Sequence, residues 1–81
     1  MDKRFIVYGR RSCPYCVKAE ALLKERTQEF DFVDLEGDPR TLNEVKSLVS
    51  WPTVPVVVVR TSEGRLRLVG GYSELESYLG A

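Results

Sequence analysis

The only cysteines in these 81 residues are Cys13 and Cys16, in the run Cys13-Pro14-Tyr15-Cys16. The run follows an apolar stretch, Phe5-Ile6-Val7-Tyr8, and opens a segment with helical character. A C-x-x-C pair between a strand and a helix reads as a thiol–disulfide redox pair. With the first sulfur at a helix N-terminus, the second lies one turn on and can reach back to close a small disulfide. The competing readings are a fixed structural disulfide or two inert core thiols. The place of the pair, beside a proline and arginines at a helix start, favours redox chemistry. The chain has no histidine, which excludes a Cys–His pair of the protease type. A zinc site takes about four ligands, which two cysteines do not supply within one chain, so no metal is expected.

Thiolate is the attacking species, and an ordinary free thiol is mostly protonated at neutral pH. Cys13 is the expected nucleophile. The unpaired N–H groups and dipole of a helix start favour a negative sulfur there. Arg10 and Arg11 add positive charge close by, exposed and partly screened. Cys16, inside the first turn, is expected to be more buried and to act as the resolving thiol, attacking a mixed disulfide on Cys13.

The elements that must position this pair follow from patterning. Arg4 to Tyr8 reads as a strand and Gly9 to Ser12 as a loop. Pro14 suits a first helical turn, where its missing N–H costs nothing. Val17, Ala21, Leu22 and Leu23 give an apolar side to a helix running to about Arg26. Phe30, Phe32 and Leu35 fall near a second strand. Glu36-Gly37-Asp38-Pro39 turns the chain, and Leu42, Val45, Leu48 and Val49 continue with helical period. Val56 to Val59 is a β-branched run suited to a strand buried on both faces. Ser62-Glu63-Gly64 signals a hairpin into Leu66-Arg67-Leu68-Val69. After Gly70-Gly71, Ser73 is placed to cap a last short helix carrying Leu75, Tyr78 and Leu79. The order is β-α-β-α-β-β-α. The first two strands should be parallel, through a right-handed crossover, and the last two antiparallel. The expected fold class is α/β, a four-stranded mixed sheet flanked by three helices, in a single domain over residues 1–81.

Over nearly its full length the chain resembles the glutaredoxins, which have a thioredoxin-like fold. Four marks carry the resemblance: Cys13-Pro14-Tyr15-Cys16, Thr53-Val54-Pro55, Gly70-Gly71, and the basic Arg10 three residues before the first cysteine. The family implies glutathione-dependent reduction of glutathionylated proteins, mixed disulfides and protein disulfides, with glutathione as co-substrate. It also implies a cis Val54–Pro55 bond facing the first cysteine; from the residues alone, Pro55 reads as the start of an edge strand. Carried over by resemblance, the Val54 backbone in the Thr53-Val54-Pro55 segment pairs with the cysteinyl unit of glutathione. Arg10 holds its glycyl carboxylate and Tyr15 lines the groove. Gly71 lets backbone approach closely. Ser73 and Glu74 receive the γ-glutamyl end.

The chain departs from the family pattern in places. Glu74 stands where Asp is usual, and Leu42 where Arg or Gln is frequent, with Arg40 nearby in sequence. Trp51-Pro52-Thr53 resembles the single-cysteine glutaredoxins that carry iron–sulfur clusters, whereas C-P-Y-C resembles the dithiol class. Two alternatives therefore stay open. One is a thioredoxin-reductase-coupled electron donor to ribonucleotide reductase, and the other a dimer bridging a [2Fe–2S] cluster with glutathione. In the first reading a monomer is expected.

Twelve Lys plus Arg balance twelve Asp plus Glu, so bulk charge points to neither nucleic acid nor an acidic membrane as partner. The N-terminal pattern is not that of a signal peptide, and the longest apolar stretch, Pro55 to Val59, is far too short to span a bilayer. A cytoplasmic home is the expectation, where such a pair is reduced or cycling.

Overall fold

The computed structural model describes residues 3–80. Its elements are β1 (Arg4–Gly9), α1 (Pro14–Glu25), β2 (Phe30–Asp34), α2 (Pro39–Val49), β3 (Val56–Arg60), β4 (Leu66–Gly70) and α3 (Tyr72–Tyr78). They form one four-stranded mixed sheet in the order β2-β1-β3-β4. β1 and β2 pair in parallel, as a strand–helix–strand crossover requires, whereas β1–β3 and β3–β4 are antiparallel. This is the expected β-α-β-α-β-β-α order and the thioredoxin-like class.

β1 shows why the sheet sits as it does. Its burial alternates, with Phe5, Val7 and Gly9 buried and Arg4, Ile6 and Tyr8 half-buried. In register, Phe5 faces Val59 and Val7 faces Val57. These four side chains join Ala19, Leu22 and Leu23 of α1 and Leu75 of α3 in the main core. Val56 to Val59 are all buried, because β3 is central and both of its faces are covered. The other face is covered by α2 through the buried Leu42 and the half-buried Val45 and Val49.

Three sequence expectations about helix faces are corrected. Val17 is 42 % exposed, and Ala21 is exposed too; the inward stripe of α1 is Cys16, Ala19, Leu22 and Leu23. Leu48 is 84 % exposed. It lies beyond the inward face of α2 and edges a shallow apolar groove with Leu66 and Leu68. The third correction concerns α3, whose N-cap is Gly71; Ser73 lies exposed inside the first turn. No described helix is long and apolar enough to cross a membrane.

Candidate active site

The site is built on the end of β1. The chain leaves the sheet at Gly9, makes the loop Arg10–Ser12, and enters α1 with Cys13 as N-cap. Cys13 has extended backbone angles (φ −90°, ψ 116°), as N-caps do. Its sulfur takes the place of a capping oxygen and accepts the Cys16 N–H at 3.4 Å. Pro14 follows at the first helical position, where no N–H is needed. The loop is closed by the Cys13 N–H, which donates to the Arg10 carbonyl at 3.1 Å. Both thiols are free; Cys13 is part-exposed and Cys16 fully buried. The part-exposed sulfur thus carries a helix-start N–H donor and is open to an incoming disulfide.

Cys16 sits in the opposite environment. Burial pushes its thiol up to about 12, contact with the Cys13 sulfur adds to the rise, and the Arg10 N–H, which donates to Cys16 Sγ at 3.5 Å, opposes it. The pair is thus asymmetric: a part-exposed sulfur accepting one helix-start N–H and a buried one held as thiol. Gly9 makes room for the second sulfur, since a β-carbon at that position would lie 2.5 Å from Cys16 Sγ.

Of the two arginines, one is already engaged. Arg11 pairs with Glu20 of α1 at 2.6 Å, and its guanidinium lies 3.9 Å above the Phe32 ring. The charge expected from Arg11 is largely neutralised, and Arg10 is the cation left for a ligand. Arg10 lines a cavity of about 250 Å³ with Glu36, Leu42, Lys46 and Val54. Among the described residues neither Arg10 nor Lys46 takes part in an ion pair. Lys46 escaped the sequence reading, although it stands one turn beyond Leu42 on the same helix face. Arg40 is exposed and does not line the cavity.

Across the cavity that Arg10 lines with Val54, the Val54–Pro55 bond is cis. Thr53 is exposed, Val54 half-buried and Pro55 buried at the entrance to β3. Tyr15 is 56 % exposed and leans on Tyr72, ring centres 6.0 Å apart, so Tyr72 belongs to the same wall.

Gly70-Gly71 closes the far end. Gly70 has φ +127°, and a β-carbon there would meet Glu74 Cβ and Cγ at 2.8 Å and the Trp51 ring at 3.2 Å. What the glycines admit is therefore the chain's own Glu74 and Trp51. The Gly71 N–H donates to Glu74 Oε1 at 3.0 Å, so this carboxylate already holds the start of α3. The first intrahelical bond is given by Leu75 to the Gly71 carbonyl, which leaves the Ser73 and Glu74 N–H groups ahead of the helical ladder. Trp51 packs under both glycines, and its indole Nε1 is buried without a partner among the described residues.

Comparison with known proteins agrees with this geometry. The family model described as Glutaredoxin matches residues 5–62. Glutaredoxin 1 of Escherichia coli (strain K12) is 27 % identical, the match covering 91 % of this chain and 89 % of that protein. A glutaredoxin of Haemophilus influenzae is 30 % identical, over 91 % of this chain and 87 % of its own. Among solved structures, the dithiolic glutaredoxin 2-C-Grx1 of Trypanosoma brucei brucei superposes with a TM-score of 0.71 at 29 % identity, covering 90 % of this chain and 73 % of that one. Glutaredoxin 1 of Francisella tularensis shares the fold at 21 % identity and a TM-score of 0.72, covering 95 % and 92 % of the two chains. With the C-x-x-C pair at the head of α1 and the family match spanning most of the chain, this protein belongs to the glutaredoxin family, whose members are thiol–disulfide oxidoreductases.

Proposed function

We propose that this chain is a glutathione-dependent thiol–disulfide oxidoreductase that reduces glutathionylated proteins and small mixed disulfides through Cys13. The observation that carries the reading is the asymmetry of the pair: a part-exposed Cys13 sulfur accepting a helix-start N–H, and a buried Cys16 thiol raised to about 12.

In the first step the Cys13 thiolate attacks the glutathione sulfur of a mixed disulfide. The old S–S bond breaks, the substrate thiolate leaves and takes a proton from water, and glutathione stays bonded to Cys13. A second glutathione thiolate attacks the bound glutathione sulfur, releases Cys13 as thiolate, and leaves as glutathione disulfide. The net exchange consumes one free glutathione: the substrate disulfide becomes a thiol, and the glutathione unit it carried leaves joined to the second as glutathione disulfide. For a protein disulfide, Cys13 forms the mixed bond and Cys16 displaces the substrate by attacking the Cys13 sulfur. The Cys16 proton then passes to the leaving thiolate, which becomes a thiol.

The groove supports this substrate by chemistry. Glutathione carries two carboxylates and one amine. Arg10 and Lys46 flank the cavity beside Val54 and suit the glycyl carboxylate. The Val54 backbone pairs with the cysteinyl unit in the manner of an added strand, and Thr53 and Pro55 shape that turn. Tyr15 and Tyr72 line the wall. The Ser73 and Glu74 N–H groups take the other carboxylate, with Gly71 allowing close approach. The side chain of Glu74 must share the ligand amine with the Gly71 N–H it already accepts. The cluster-carrier alternative rested on Trp51-Pro52-Thr53, and packing of Trp51 under Gly70-Gly71 accounts for that residue without a cluster. The cytoplasmic and monomeric expectations belong to the same reading.

The test is glutathione-linked reduction of a small mixed disulfide, followed by NADPH oxidation with glutathione reductase. Wild type and Cys16→Ser turn over and Cys13→Ser does not. A folded wild type without activity overturns the proposal and moves the reading to a thioredoxin-reductase-coupled donor or a cluster carrier.

A further inference from the structure

The loop that presents Cys13 is braced from the β2–α2 connection. Leu35 donates its N–H to the Gly9 carbonyl at 2.7 Å. One residue on, Glu36 Oε1 accepts the Ser12 N–H at 3.0 Å. Glu36 is itself held, because its own N–H donates to Asp34 Oδ1 at 3.0 Å. The clasp joins residues 24 apart in sequence and closes immediately before the nucleophile. The Ser12 N–H and hydroxyl, followed by the charge of Arg10, hold the Glu36 carboxyl below the usual carboxylate range. Glu36 is therefore a full negative charge at working pH. The charged and titratable groups around it are Arg10 and Lys46 in the shared cavity and Asp34 behind it, and Cys13 is the residue that follows the Ser12 it holds.

We propose that Glu36 is a positioning residue for the redox step: its hydrogen bond to the Ser12 N–H fixes the loop that aims Cys13, and its charge limits how readily Cys13 ionises. The inference rests on Cys13 being the nucleophile. The two effects are chemically coherent. A thiolate that forms less readily is intrinsically a better nucleophile once formed and a poorer leaving group. An acidic brace beside a helix-start cysteine trades thiolate fraction for reactivity per thiolate.

Glu36→Gln and Glu36→Ala separate the two effects. Glutamine keeps an acceptor for the Ser12 N–H and loses the charge; alanine loses both. The first readout is the pH profile of iodoacetamide alkylation of the reduced protein, in which the buried Cys16 does not compete. Relative to wild type, the Glu36→Gln profile moves to lower pH by about 0.4 unit, the size expected for loss of one nearby charge in near-aqueous surroundings. Alkylation at pH values below the midpoint then rises by about 1.5- to 2-fold, less than the gain in thiolate fraction because each thiolate is less nucleophilic. The second readout is amide hydrogen exchange at Ser12, which accelerates by about tenfold or more in Glu36→Ala and stays near wild type in Glu36→Gln. A Glu36→Gln profile superimposed on wild type, or Ser12 exchange unchanged in Glu36→Ala, overturns the proposal. Neither readout requires glutathione, so it survives or falls independently of the substrate assigned above. A wild-type Cys13 that resists alkylation removes its premise before any variant is made.

Discussion

Gly9 and Cys16 share one packing site: a β-carbon on residue 9 would stand 2.5 Å from the sulfur and 3.0 Å from the β-carbon of Cys16. Gly9 has no unusual backbone angle to require glycine, so the constraint is volume alone. Gly9→Ala is expected to destabilise the fold by about 1–3 kcal/mol, the range for overpacking a filled core. It should also expose Cys16. Urea denaturation and titration of the native protein with an aromatic disulfide check both; a single fast thiol and an unchanged midpoint would refute the shared-site account.

Cys16 also predicts the alkaline limb of stability. Its folded value, about 12, lies above the ordinary value of 9.0. A group raised on folding contributes stability in full below the unfolded value and loses it as pH climbs through the folded one. Wild type should therefore lose stability between about pH 9 and pH 12, and Cys16→Ala should lose less over that window. The difference between the two Tm-versus-pH curves isolates Cys16 from the lysines and tyrosines that titrate nearby.

Arg10 and Lys46 should act on the same carboxylate. Arg10→Met or Lys46→Met is expected to raise KM for a glutathionylated peptide about three- to tenfold, with little change in kcat. The effect should shrink at high salt. It should vanish for a substrate whose glycyl carboxylate is an amide. A variant equally impaired on the amide places that residue outside the carboxylate subsite.

Glu74 holds the start of α3 through the Gly71 N–H. Glu74→Ala removes the acceptor and should cost about 1 kcal/mol, whereas Glu74→Gln retains it and should stay near wild type. Equal losses in both variants would mean that the charge, and not the hydrogen bond, supports the helix.

Much of this was legible in the chain itself. The run Val56 to Val59 declared a strand covered on both faces, and Pro14 marked the first turn of α1, whereas the turn read over Glu36 to Pro39 concealed that Asp38 caps α2 and Pro39 opens it. Cys13 and Pro14 likewise open α1, and the Val54–Pro55 bond is cis as the resemblance implied. What stayed hidden depends on where one element ends against another. Helical period includes Leu48, but only the sheet's edge decides that it hangs in solvent. The loss of Arg11 to Glu20 and Phe32, and the tie between Ser12 and Glu36, are side-chain meetings across the fold with no local signature. Ser73 looked like a cap because serine favours that place. The glycine pair starts the helix earlier because Glu74 folds back onto Gly71.

The order β2-β1-β3-β4 leaves β1 and β3 paired along both edges and β4 paired along one. Cys13 hangs from β1, so a disturbance of β4 reaches it only indirectly, across β3 or through Gly70-Gly71 and the contact of Tyr72 with Tyr15. A disturbance at Leu35 and Glu36 arrives directly, through Gly9 and Ser12. The loop before Cys13 is thus tied most directly to the connection between β2 and α2, and to the hairpin side through the start of α3.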